Sequence, residues 1–261
     1  MDCWGNIPKN AELSAEECQR YARQLLLPEV GRSGQARLRA ARVTVVGAGG
    51  VGSAALFYLA AAGVGHIRVV DSDRVELSNL QRQILHRITD LGRPKAESAR
   101  DTIISLNPCC QVEIFAARLE AANIGEAIPP ADVVLDASDN FQTRYAVADY
   151  CWLTGIPLVS AAAAEFAGLL LIVDPAQGSP CYRCLMPEPP EDRLQGILGS
   201  VAGVMGCLQA TETLKLLLGH GSELARKLLS YDALKCRFHI MPRRQAADCP
   251  LCAGYALGLT S

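Results

Sequence analysis

The chain has 261 residues, half of them hydrophobic, with 25 basic against 27 acidic side chains and a net charge of -2. That is enough to bury one large α/β core and requires no second independent domain, so residues 1–261 read as a single unit. The balanced charge gives no global field toward nucleic acid or an anionic membrane, which argues against both as partners.

Residues 1–6 have no basic and apolar leader pattern, and no export signal accompanies the 11 cysteines, so thiols or metal ligands in a cytoplasmic protein are expected rather than disulfides. Ser14-Ala15-Glu16-Glu17 is a capping box that opens a helix through about Leu27, with Pro28 and Gly31 closing it; a second helix covers 34–40. Residues 14–40 thus form an N-terminal helical segment, and 41–180 the nucleotide-binding core. Within it Arg-Val-Thr-Val-Val at 42–46 is a β-branched strand running straight into Gly47-Ala48-Gly49-Gly50-Val51-Gly52, and the small apolar residues 53–62 suit a helix. A second strand, 66–70, ends in Asp71. Helix is expected over 94–106 and 143–153, and strand over 111–116, 132–135, 157–160 and 168–173. This alternation predicts a Rossmann-like, mostly parallel sheet with helices on both faces. Prolines at 187 and 190 start an irregular surface crossover over 187–199. In the C-terminal part, 200–261, a long helix over 201–218 is stopped by Gly219, and 228–231 with 237–241 form a late antiparallel pair. Gln209, Glu212 and Lys215 interrupt the apolar run of that helix, against a membrane span.

Gly47, Gly49, Gly50 and Gly52 allow a backbone to approach a phosphate, and the free N–H groups and helix dipole behind them favour an anion. Asp71 stands about 20 residues beyond the turn, where an acid accepts from ribose hydroxyls. A hydride-transferring enzyme needs a nicotinamide pocket and a proton donor. The next residues offer Arg82 and Lys95 instead, with Asp139 just beyond a buried strand, groups suited to a triphosphate and Mg²⁺. Each has a plainer alternative: Arg82 and Lys95 on solvated faces, Asp139 as a helix cap. Cys181-Tyr182-Arg183-Cys184 and Cys249-Pro250-Leu251-Cys252 share one spacing and supply four thiolates, the set of a closed structural zinc site that would clip the C-terminus back onto the domain. Incidental thiols or a redox pair remain open for these four cysteines.

Arg20-Tyr21-Ala22-Arg23-Gln24, Gly47 to Gly52, Asp71, Asn79-Leu80-Gln81-Arg82-Gln83, Gly92-Arg93-Pro94-Lys95, Asp136 to Asn140 and the four cysteines together resemble the ThiF/MoeB/HesA family, bacterial relatives of ubiquitin-activating enzymes. The resemblance runs from about residue 14 to 254. It implies ATP-dependent adenylation of the C-terminal Gly-Gly carboxylate of a ubiquitin-like sulfur-carrier protein, with release of pyrophosphate, in thiamine or molybdopterin synthesis. Asp71 would bind the ribose; Asn79, Arg82 and Lys95 would handle the phosphates; Asp139 would hold Mg²⁺; Asp73, Gln83 and Asn140 join the nucleotide-binding set. Arg23 would serve the neighbouring subunit's site in a homodimer. ThiF-type members carry a cysteine in the crossover, whereas the corresponding position here is Asp192, which implies chemistry that stops at the acyl-adenylate, with sulfur delivered by a separate sulfurtransferase or cysteine desulfurase. Within the family the acceptor could be a peptide or a modified tRNA base. Outside it, an NAD(P)-dependent oxidoreductase would use the glycine turn and Asp71 but leave Arg82, Lys95 and the cysteines idle.

Overall fold

A computed structural model describes residues 12–190 and 195–253. In chain order its helices and strands are α1 (Ala15–Arg20), α2 (Ala22–Leu25), α3 (Gly31–Ala40), β1 (Arg42–Val46), α4 (Gly50–Ala62), β2 (His66–Val70), α5 (Lys95–Leu106), β3 (Gln111–Phe115), α6 (Ile124–Ala127), β4 (Val133–Asp136), α7 (Phe141–Thr154), β5 (Leu158–Ala164), β6 (Ala167–Val173), α8 (Tyr182–Leu185), α9 (Gly199–Leu218), β7 (Lys227–Asp232) and β8 (Arg237–Pro242).

The capping box forms as expected: Glu17 N–H donates to Ser14 Oγ at 3.1 Å and Ser14 N–H to Glu17 Oε2 at 2.7 Å. The single helix expected to about Leu27 is instead two short ones. Tyr21 breaks it, because its ring is buried and its hydroxyl accepts from Asn107 Nδ2 at 2.9 Å, a tertiary contact that outweighs helix continuity. Gly31, at φ +54°, opens α3 rather than closing the helix before it. Tertiary packing also moves helix starts: α4 begins at Gly50 rather than 53, and α7 at Phe141 rather than 143.

Among the described residues the strands form one eight-stranded sheet in the order β3-β2-β1-β4-β5-β6-β7-β8. β3, β2, β1, β4 and β5 pair in parallel, and β5 to β8 pair antiparallel, so the antiparallel part takes in β6 as well as the late pair. Two apolar cores cover the two faces. One joins Val43, Val45, Leu56, Leu59, Ile103 and Met205; the other joins Val46, Val134, Tyr145, Trp152, Leu158 and the cysteine knuckles.

By length and composition α9 could cross a membrane, but it is packed into the first core. Gly206 lets it lie directly on α4, since a Cβ there would sit 2.2 Å from Val51 O. The crossover's described end is held at the sheet: Ile197 bridges Glu165, and Glu165 N–H donates to Gly196 O at 2.6 Å.

Candidate functional site

β1 and β4 are neighbours at the point where the strand order reverses, the place where open α/β sheets bind ligands beyond their carboxyl ends. Gly47 leaves β1 there at φ +97°, and a Cβ on it would lie 2.6 Å from Ala137 O of the turn after β4. Glycine is therefore required twice, for its dihedral and for the close approach. Gly52 is equally constrained, with Gly47 O 1.9 Å from where its Cβ would be. Asp71, at the end of β2, reaches across to this turn: Oδ2 accepts from Ala48 N–H and Oδ1 from Asp73 N–H, both at 2.8 Å. Burial pushes its carboxyl above the ordinary range, against the opposing pull of Lys95 and these two donors.

The cations assemble around the same turn. Lys95 opens α5, is buried, and its Nζ lies 2.9 Å from Asp73 Oδ2. It is therefore not on a solvated face, which removes the plainer reading of that residue. Arg82 lies over Gly50, whose Cβ would meet its Cγ at 3.3 Å, and Nη1 donates to Ser78 O at 3.1 Å. Asn79 ends a 3-10 turn and accepts Glu76 N–H at 3.2 Å. Gln83 is buried with Nε2 near Gly49 and with Oε1 lacking a hydrogen-bond partner.

From the adjacent strand, the turn after β4 brings Asp139, exposed, and Asn140. Asn140 caps α7, its Oδ1 accepting Thr143 N–H at 2.9 Å, so the capping role considered for Asp139 falls to its neighbour. Arg23 is not brought to this site within one chain. The adjacent Gln24 donates to Ala62 O at the far end of α4, so α2 sits a helix length, about 20 Å, from the glycine turn. Asp192 lies outside the described residues.

Three supporting groups were given no role by the sequence. His86 is buried with Nε2 2.9 Å from Ala48 O and Nδ1 2.8 Å from Ser98 Oγ, tying the glycine turn to α5; burial lowers its pKa. Gln209 Nε2 donates to Asp136 O and Val159 O, both at 2.8 Å, so α9 holds the carboxyl ends of β4 and β5 together. Asp136 is fully buried and carries the turn itself: it accepts Ser138 N–H at 3.0 Å and Ser160 Oγ–H at 2.7 Å, and Arg144 Nε lies 3.1 Å away. Burial opposes the Arg144 charge, but its neighbours, the Asp136 carboxylate foremost, together outweigh it and raise the arginine's pKa. Gln209 carried a sequence signal as a polar residue in an apolar helix, and Asp136 as the first residue of the Asp136 to Asn140 motif; His86 carried none.

On the other face of the sheet the four cysteines meet. Sγ of Cys181 is 3.7 Å from Cys184 and 3.5 Å from Cys249, Cys184 is 3.2 Å from Cys252, and all four lie within 4.8 Å of one another. A tetrahedral zinc with Zn–S of about 2.3 Å needs sulfurs roughly 3.8 Å apart, so the donor set and spacing fit that metal. Burial raises the Cys181 and Cys252 thiols, the latter to about 11. At Cys249 burial is outweighed by the N–H groups of Cys252 and Leu251, which bring it to about 7. The long interval between knuckles is spanned by Arg243, whose buried guanidinium donates to Pro180 O at 3.2 Å, Lys227 O at 3.1 Å, Ala225 O at 3.1 Å and Ile172 O.

The sequence matches the ThiF family over residues 21–251. It is 49% identical over 246 residues to the SAMP-activating enzyme E1 of Haloferax volcanii, covering 92% of this chain and 90% of that one. It is 47% identical over 247 residues to the sulfur carrier protein adenylyltransferase of Thermus thermophilus, covering 91% of each. A crystal structure of E. coli MccB shares the fold, with a TM-score of 0.82 over 95% of this chain and 76% of the other, at 22% identity.

Proposed function

Because the chain belongs to the ThiF family, we propose that it is an adenylyltransferase that activates the C-terminal Gly-Gly carboxylate of a ubiquitin-like sulfur carrier. The carboxylate attacks the α-phosphate of ATP, pyrophosphate leaves, and an acyl-adenylate remains. The observation that carries this reading is the meeting, at one switch point, of the glycine turn and Asp71 with Arg82, buried Lys95 and the Asp139 turn. A dehydrogenase has no use for the last three. The name of the Thermus relative supports a sulfur carrier over a peptide or a tRNA base as the acceptor.

The attacking carboxylate is already ionised at neutral pH, so the site needs no general base. Its work is positioning and charge stabilisation. Backbone N–H groups of the glycine turn face the phosphates, Asp71 takes the ribose hydroxyls, and Arg82 and Lys95 offset charge that builds on the oxygens of the transferring phosphoryl group. For Lys95 this means giving up Asp73, an exchange made easier because Asp73 is largely solvated and its carboxylate can return to water. Mg²⁺ held at Asp139 would neutralise phosphate charge. Four thiolates and no open position suit zinc in a structural role at Cys181, Cys184, Cys249 and Cys252.

Arg23 supports a homodimer, since an arginine at the far end of α4 can reach a phosphate only in a second copy. With Asp192 in the crossover and no cysteine between Cys184 and Cys207, the chain itself stops at the adenylate, and sulfur comes from a separate sulfurtransferase or cysteine desulfurase. Hydroxylamine trapping tests this. Enzyme, MgATP and a Gly-Gly-ended carrier should yield carrier hydroxamate and no enzyme–carrier adduct by mass spectrometry; a thiol-sensitive covalent adduct would contradict it.

A further inference from the structure

His86 stands where three segments of the nucleotide crevice meet. Its own segment, 79–86, is a run of tight turns: Arg82 N–H and Gln83 N–H donate to Asn79 O at 3.0 and 2.9 Å, and His86 N–H donates to Gln83 O at 3.1 Å. The ring joins the other two segments. Nε2 lies 2.9 Å from Ala48 O in the glycine turn, and Nδ1 lies 2.8 Å from Ser98 Oγ on α5. Ser98 follows Lys95 by three residues, so the two share one face at the start of that helix. Thr102, a turn further along, donates Oγ1–H to Leu85 O at 3.0 Å and holds the residue before His86.

A carbonyl oxygen only accepts, so Nε2 carries the proton, and in the neutral ring Nδ1 accepts from the Ser98 hydroxyl. Burial, with the Lys95 charge, lowers the ring's pKa against the pull of the Ala48 carbonyl, Asp71 and Asp90. No cis bond occurs among the described residues, so the peptide between Ala48 and Gly49 is trans and its N–H points opposite to its C=O. With Ala48 O turned to the buried ring, the Gly49 N–H is turned away from it. Ala48 is fully buried but Gly49 only half-buried, and among the described residues the Gly49 N–H has no acceptor. Ala48 N–H is taken by Asp71 Oδ2 at 2.8 Å, so both polar groups of Ala48 are fixed from outside the turn.

We propose that His86 is a positioning residue that aims the Gly49 N–H at the phosphates of ATP and sets the spacing between the glycine turn and Lys95. This rests on the adenylation reading, which puts the phosphates beside that turn. The ring itself touches no phosphate. It ties Ala48 on one side to Ser98 on the other, so that backbone donor and ammonium converge on one anion without either segment reordering when ATP arrives. An apolar side chain in its place would leave Ala48 O buried and unpaired, free to rotate the 48–49 peptide toward another donor.

The test compares MgATP with adenosine on the full chain, the first by calorimetric titration and the second by competition against it. His86→Leu, which removes the donor, should bind MgATP about tenfold more weakly and adenosine as the wild type does. His86→Gln, whose amide nitrogen takes the place of Nε2, should lose no more than about threefold, and Ser98→Ala should lose about threefold. Nitrogen-15 NMR of the ring at neutral pH should show Nε2 protonated and Nδ1 bare. If His86→Leu does not fold, Ser98→Ala and the NMR decide. Equal losses for MgATP and adenosine in these variants would make the residue merely structural and overturn the proposal. So would a neutral ring protonated on Nδ1, or wild-type MgATP affinity in the folded variants. Wild-type protein that binds MgATP no more tightly than adenosine would instead remove the phosphate site, and this inference with it.

Discussion

Gly49 and Gly52 stand three residues apart in the same turn, yet alanine should fail at them for different reasons. At Gly52 a Cβ would overlap Gly47 O at 1.9 Å, more than an ångström inside the 3.0 Å that real Cβ contacts respect, and the obstacle is backbone. The turn must deform, so Gly52→Ala should lose about 1–3 kcal/mol or more of folding stability. At Gly49 a Cβ would meet only Gln83 Nε2 at 3.6 Å, an ordinary contact, but the backbone sits at φ -81° and ψ -148°, outside the region alanine prefers. Packing gives no reason for glycine there; the dihedral does. If the space beside it belongs to a phosphate, Gly49→Ala should fold with a loss of about 1–3 kcal/mol from that dihedral. It should nonetheless bind Mg²⁺·ATP about five- to 150-fold more weakly, the equivalent of 1–3 kcal/mol for a methyl forced into a packed contact. Urea unfolding and calorimetric titration separate the two effects. Wild-type ATP affinity in a folded Gly49→Ala variant would refute the placement of the phosphates.

The same reasoning applies where α9 crosses α4. Gly206→Ala pushes a Cβ to 2.2 Å from Val51 O and should destabilise by about 2 kcal/mol, whereas Gly203, with nothing within 4 Å, should gain up to about 1 kcal/mol from alanine's helix propensity; equal effects in urea unfolding would contradict the packing. His86 and His66 both have pKa values lowered by burial from 6.5, so the unfolded chain takes up protons first and stability should fall as pH drops below about 6.5. His86→Gln should flatten that slope, and an unchanged slope between pH 7.5 and 5.5 would show that His86 is not the cause. Metal analysis should find about one zinc per chain, and Cys249→Ser should lower both zinc content and thermal stability; full zinc retention would argue against a four-thiolate site.

Much of the site was legible because its chemistry is local in sequence. The strand, glycine turn and helix occupy consecutive residues, and Asp71 ends the next strand, so their meeting follows from the topology of one βαβ unit. The cysteine pairs were legible through their shared spacing, although 64 residues separate them and the Arg243 clasp that closes the gap leaves no sequence pattern. What stayed hidden depends on contacts between distant segments. Tyr21 breaks a helix only because Asn107 receives it, Gly31 starts a helix its identity suggested it would end, and His86 looks like any loop histidine until Ala48 O and Ser98 surround it. Asp136 and Arg144 likewise read as a strand end and a helix residue; their pairing appears only when β4 and α7 pack.

Carrier-dependent ATP–pyrophosphate exchange tests the central claim most directly. Exchange should appear when a ubiquitin-fold carrier ending in Gly-Gly is added to enzyme and MgATP, and should be lost in folded Lys95→Ala and Asp139→Ala variants. Exchange that persists undiminished in both variants, or NADH turnover in place of any exchange, would contradict it.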